Sequence, residues 1–149
     1  MEDNSGAKTR IFFDGSSFAR GRRGGPGASA GAAVVISPSG MLVSRSRFIR
    51  LGDSDVAEYE GLILGITLAL EAGARAVEIF GDSRNVIDQV LGKKSVKKTS
   101  LSLRLAEVKA RLQDFPEWSL QWIPREKNGL ADAEARRCIE SLGLYSGVG

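Results

Sequence analysis

Three strand-like runs crowd into the first fifty residues, and the pattern then switches to helices alternating with strands. Arg10–Asp14 (RIFFD) is apolar and ends on Gly-Ser turn chemistry. Residues 32–37 (AAVVIS) and 41–49 (MLVSRSRFI) follow as two more strand candidates, separated by the turn signal Pro38-Ser39-Gly40. In the later run Met41, Val43 and Phe48 stand among Ser44, Arg45 and Arg47. From residue 54 the period lengthens. Ala57, Gly61, Leu64, Leu68 and Ala72 recur at helical spacing, and Gly73 ends the helix. Residues 76–80 (AVEIF) read as a strand and 81–92 as a helix. Leu101, Leu105, Val108 and Leu112 mark another helix, residues 117–124 (EWSLQWIP) a strand closed by Pro124, and Asn128 to Leu142 a last helix. The order βββαβααβα predicts an α/β fold: a five-stranded mixed sheet flanked by helices, opening with a three-stranded antiparallel meander.

The 149 residues suit a single domain. A disordered lead-in is expected over 1–9, the folded domain over 10–143 and a tail over 144–149. The chain contains no histidine, which removes histidine metal sites and the Ser-His-Asp triad. A lone Cys138 excludes an internal disulfide and a cysteine zinc cluster, and a reducing, intracellular compartment is expected. No apolar stretch approaches the ~20 residues of a membrane span, and the acidic start, MEDNSGAKTR, is not a signal peptide. A net charge of +3 is compatible with a nucleic-acid partner. A monomer is expected.

Four carboxylates fall at element ends. Asp14 closes the first strand, and Asp82 lies just past the fourth, where a helix begins. In open sheets with helical crossovers, ligands gather at such carboxyl ends. Glu58 is placed in the first turn of the long helix, on a face with Gly61 and Gly65. Interior helix glycines cost roughly 1 kcal/mol each against alanine, so close approach of helix to sheet is expected there. Asp132 shares a stripe with Ala135 and Ile139 on the final helix. Each acid also has a local reading: Asp14-Gly15 as a turn, Asp55-x-x-Glu58 as a capping box, Asp82 as an N-cap, and Asp132 as a helix-dipole partner. Together they imply a cation, because clustered carboxylates otherwise take up protons or cost stability. Mg²⁺, a hard ion with oxygen ligands, fits.

Residues 12–17 (FFDGSS), 57–62 (AEYEGL), 79–90 (IFGDSRNVIDQV) and 123–135 (IPREKNGLADAEA) resemble the four signature segments of ribonuclease H type 1, most closely its compact plant-type branch. The resemblance runs over roughly residues 10–142. It implies the RNase H-like fold and cleavage of the RNA strand of an RNA/DNA hybrid. It implies two Mg²⁺ ions, with Mn²⁺ as substitute, on Asp14, Glu58, Asp82 and Asp132. Two such ions ~3.5–4 Å apart activate a water and stabilise the leaving oxygen. Nucleic-acid contacts are implied at Gly15, Ser16, Ser17, Ser54 and Ser83.

The chain departs from the family in four places. The usual loop histidine is missing, and Glu126 near that place is the candidate proton shuttle. An Asn-Asn pair is replaced by Ser54-Asp55, where the aspartate would repel phosphate. Arg84 stands where glutamine is common and offers a phosphate partner. The loop after the first strand carries Arg20, Arg22 and Arg23 among glycines, suited to phosphate contact. Lys93, Lys94, Lys97 and Lys98 form a second basic cluster, read as either a DNA grip or a solvated connector. Trp118 and Trp122 are read as core or half-buried packing and Cys138 as a small buried hydrophobe. The alternative functions are a non-catalytic nucleic-acid- or complex-binding module on the same fold, and a relative cutting other nucleic acids.

Overall fold

The computed structural model describes residues 7–19, 22–23 and 26–141. Most of the expected lead-in, Arg20 and the tail from 144 lie outside the described residues, and only the backbone of Arg22 and Arg23 lies within them. The elements are β1 (Thr9–Ala19), the two-residue β2 (Arg22–Arg23), β3 (Gly27–Ile36), β4 (Leu42–Gly52), α1 (Ser54–Glu71), β5 (Ala76–Gly81), α2 (Arg84–Val90), α3 (Thr99–Leu112), β6 (Glu117–Trp122) and α4 (Gly129–Ser141), with a 3₁₀ turn at Arg125–Lys127. The five long strands lie in the order β4-β3-β1-β5-β6, and β2 pairs with the end of β1. β3 runs antiparallel to β1 and β4, whereas β5 runs parallel to β1 and β6 parallel to β5. The element order and the mixed sheet are those expected. Among the described residues no helix is long and apolar enough to cross a membrane.

The region after Asp14 differs from expectation. The described parts of the glycine-rich segment extend the strands rather than forming a loop, and β1–β3 pairing continues from Asp14↔Ala32 to Phe18↔Ala28. Small buried hydroxyls hold these strands: Ser17 and Ser29 meet at 3.0 Å, and both reach the Gly52 carbonyl, at 2.9 and 2.8 Å. β5 stops earlier, its last partner on β1 being Phe13 opposite Gly81. Asp14 is thus the first β1 residue with no parallel neighbour, and a cleft opens beside it.

Helix α1 lies unusually close to this spot. A Cβ on Gly61 would sit 2.4 Å from the Asp14 carbonyl oxygen and 2.7 Å from that of Ala32. The sheet answers with glycines of its own: a Cβ on Gly31 would meet the Gly61 nitrogen at 2.4 Å, and one on Gly15 the Glu58 nitrogen at 2.4 Å. Only hydrogen fits at these crossings. Beneath them Ile11, Phe13, Tyr59, Leu62, Ile66 and Ile79 form the core, extended by Leu101, Val108 and Leu112 of α3.

Trp118 and Trp122 stay 37% and 38% exposed, while Leu120 between them is buried. They flank an edge strand and are half-covered rather than core. Cys138 is partly buried, not fully.

Candidate metal centre

The centre is built where β1 outlasts β5 and α1 presses on β1 and β3. Asp14 and Glu58 are buried, at 3% and 8% exposure. One carboxylate oxygen from each of Asp14, Glu58 and Asp82 lies within 4.8 Å of the other two. They line a cavity of about 360 Å³ together with Gly15, Ser16, Ser17, Ser54 and Arg125.

The electrostatics are dominated by burial and by the closeness of the acids to one another. Burial pushes the Asp14 carboxyl up to about 7; a hydrogen bond from Glu58 partly offsets this, and the Asp82 charge adds to it. Glu58 is raised well above the usual carboxylate range by burial and then by Asp14. Its Oε1 is buried with no hydrogen-bond partner. An orphaned buried oxygen beside two further carboxylates fits a hard divalent ion, which these acids would hold.

The local readings of the acids give way to other residues. Asp53, not Asp55, caps α1, its Oδ1 accepting from Val56 N at 2.9 Å. That places Glu58 in the second turn and leaves it no capping role. Ser83 caps α2 by accepting from Val86 N at 3.2 Å, so Asp82 is not a cap. Asp82 instead receives a hydrogen bond from the Asn128 amide at 3.2 Å.

Asp132 stands outside the group of three. Its carboxylate lies 3.2 Å from Arg136 on the same helix, yet its charge still contributes to the rise of Asp14.

The expected nucleic-acid residues divide. Gly15, Ser16, Ser17 and Ser54 line the cavity, although the Ser17 hydroxyl reaches Gly52 O. Ser83 is used as a cap. The Arg84 guanidinium lies 3.8 Å over the Trp122 ring, and Trp122 Nε1 donates to the Asp82 carbonyl at 3.1 Å, forming a stacked ledge at the rim. Asp55 is engaged too, accepting from Asn85 Nδ2 at 3.0 Å. The basic connector folds back onto this region: Lys94 donates to Asn85, and Lys98 to Asp53 at 2.9 Å. Glu126 is exposed on the 3₁₀ turn, and its neighbour Arg125 reaches the cavity instead.

Sequence reasoning overlooked Arg125 and Asn128. Both lie within the fourth signature segment. An asparagine four residues ahead of Asp132 sits where a helix N-cap is expected, which was the available signal.

Comparison with known proteins places this geometry. A family model described as reverse transcriptase-like matches residues 14–138. Ribonuclease HI of Halobacterium salinarum is 29% identical over 141 residues, covering 94% of this chain and 68% of that protein. The bifunctional protein Rv2228c of Mycobacterium tuberculosis is 32% identical over 123 residues, but the chain spans only 34% of its length. Among solved structures, the N-terminal RNase H domain of that mycobacterial protein superposes with a TM-score of 0.84 at 30% identity, over 95% of this chain and 99% of the domain. LC11-RNase H1 in complex with an RNA/DNA hybrid gives 0.79 at 28% identity, over 91% and 99%. Matched over most of its length in sequence and fold, the chain belongs to the reverse transcriptase-like family, among its RNase H-like domains.

Proposed function

We propose that this chain is a divalent-metal-dependent endonuclease that hydrolyses the RNA strand of RNA/DNA hybrids. The observation that carries the reading is the convergence of Asp14, Glu58 and Asp82 within 4.8 Å, two of them buried. Its relatives support the substrate class, one of them having been solved with a hybrid. The fourth segment, IPREKNGLAD, supports the compact plant-type branch.

Asp14, Glu58 and Asp82 would hold the metal, with Asp132 as the proposed fourth ligand. Bound ions, proposed as a Mg²⁺ pair replaceable by Mn²⁺, supply a water of lowered pKa and positive charge on the leaving oxygen. Arg125 brings a permanent cation to a cavity otherwise lined by acids and hydroxyls. A guanidinium cannot relay protons at neutral pH, so its part is to hold the anionic backbone. Glu126, on the same turn, is the proposed proton carrier in a chain without histidine. Arg20, Arg22 and Arg23 are proposed to contact phosphates.

The test is cleavage of an end-labelled RNA/DNA hybrid with Mg²⁺ and with Mn²⁺, beside single-stranded RNA and duplex DNA. Metal-dependent cutting of the hybrid's RNA strand is expected. No cleavage by folded protein with either ion would overturn the reading in favour of a binding module.

A further inference from the structure

β1 keeps its β5 neighbour as far as Phe13, opposite Gly81, and loses it from Asp14 onward. Asn128 Nδ2 donates to the Phe13 carbonyl at 2.8 Å. The same amide nitrogen donates to Asp82 Oδ2 at 3.2 Å. Both partners are acceptors, so the NH₂ end must face them. Meanwhile the Asn128 backbone carbonyl accepts from Asp132 N at 3.1 Å. One residue, 1% exposed, thereby ties the end of the strand bearing Asp14, the carboxylate of Asp82 and the start of the helix bearing Asp132.

We propose that Asn128 is a positioning residue of the metal centre, its amide holding the Asp82 carboxylate and the β1 tip in the arrangement that receives the cation. The inference rests on the metal-centre reading above. Its chemistry is that of an outer hydrogen bond that fixes a ligating carboxylate before the metal arrives. A planar NH₂ group directs its two hydrogens at a fixed angle, so Asp82 is oriented relative to the β1 backbone rather than merely restrained. The other end of the amide argues against a role in packing alone. Among the described residues Asn128 Oδ1, which is buried, has no hydrogen-bond partner. Buried amides retained for stability satisfy both ends; here only the donor end is used, and it is used on the centre. No other side-chain type supplies two neutral N–H donors at this reach. Aspartate would add a fourth carboxylate facing Asp82, and leucine would take this donor from Asp82 Oδ2.

The test is Mn²⁺ binding by titration calorimetry on the full chain without nucleic acid, comparing wild type with Asn128→Ala, each checked for folding by circular dichroism. The variant is expected to bind Mn²⁺ about 10- to 100-fold more weakly, the usual cost of losing such a bond. A folded variant binding within about threefold of wild type would overturn the proposal, whatever its melting temperature, because a loss of packing alone leaves metal affinity in place. Should wild type bind no Mn²⁺, the metal-centre reading falls and this inference falls with it; unchanged affinity in the variant alone defeats only Asn128. Should Asn128→Ala not fold, wild-type NMR decides. The Asn128 side-chain NH₂ signals are expected to shift on Mg²⁺ addition, and signals that stay fixed while backbone amides near Asp14 move would overturn the assignment.

Discussion

Glu58 and Glu60 lie two residues apart on α1 and are equally buried, at 8% each, yet their surroundings are opposite. Glu60 looks away from the cleft to two guanidiniums, Arg104 at 2.7 Å and Arg47 at 3.2 Å, which join α1 to α3 and β4. Its charge is answered within the chain. Glu58 instead faces Asp14 and Asp82, and burial with these neighbours drives it toward the protonated form despite a backbone hydrogen bond from Gly15. A buried carboxylate with its own arginines is a structural clamp. A buried carboxylate among carboxylates keeps a place for a cation from outside.

The largest expected effect separates the two by activity. Asp14→Asn and Glu58→Gln should each lower hybrid cleavage by about a thousand-fold or more, since several kcal/mol of transition-state charge stabilisation depend on the ion they hold. Thermal melts without metal should move the other way: either variant removes an acid that repels its neighbours, so the metal-free protein should gain stability at neutral pH. A fall in melting temperature would mean that Glu58 is a clamp like Glu60.

Next in size is Gly61→Ala. Its Cβ would fall 2.4 Å from the Asp14 carbonyl oxygen, which backbone cannot yield cheaply. A loss of about 1–3 kcal/mol by urea denaturation is expected from overpacking, with weakened metal binding as α1 and Glu58 move off the sheet. An unchanged denaturation midpoint would show that the helix does not depend on this contact.

Glu60→Gln should cost about 1–3 kcal/mol, discounted because the Arg47 side chain is 64% exposed and the Arg104 side chain 26%. Hybrid cleavage well below the melting temperature should stay near wild type. A stabilised Glu60→Gln would erase the contrast between the two glutamates.

The smallest effect is with pH. Burial raises the folded Asp14 carboxyl from its ordinary 3.8 to about 7, so between those values the metal-free folded state binds more protons than the unfolded chain. Its stability should therefore fall as pH rises through that window and be largest on the acid side. Mg²⁺ should raise the melting temperature more at pH 8 than at pH 5. A metal-free melting temperature that climbs from pH 5 to pH 8 would contradict the raised Asp14.

Much of this was legible in the chain. Apolar periodicity carried the element order, because strands and helices bury residues at different spacings. The interior glycines of α1 announced close packing, since no other reason offsets their helix cost. The three acids of the centre were marked by their places at element ends. The strand extensions around Ser17 and Ser29 were not legible: serines and glycines read as loop until a partner strand and the Gly52 carbonyl satisfy them. Trp122 carried no local sign of its contacts with Arg84 and Asp82, which come from other elements.

The sequence by itself determined the sheet-and-helix order, the absence of histidine and of an internal disulfide, and the supply of carboxylates at strand and helix ends. Those are local properties, written in spacing and residue type. Tertiary structure alone decided which acids meet. Glu58 joins Asp14 and Asp82, whereas Glu60 finds arginines and Asp132 rests beside Arg136, because charges interact through space and only packing sets those distances. The same holds for Asn128, whose amide reaches Phe13 and Asp82 only because folding brings three distant stretches of chain together.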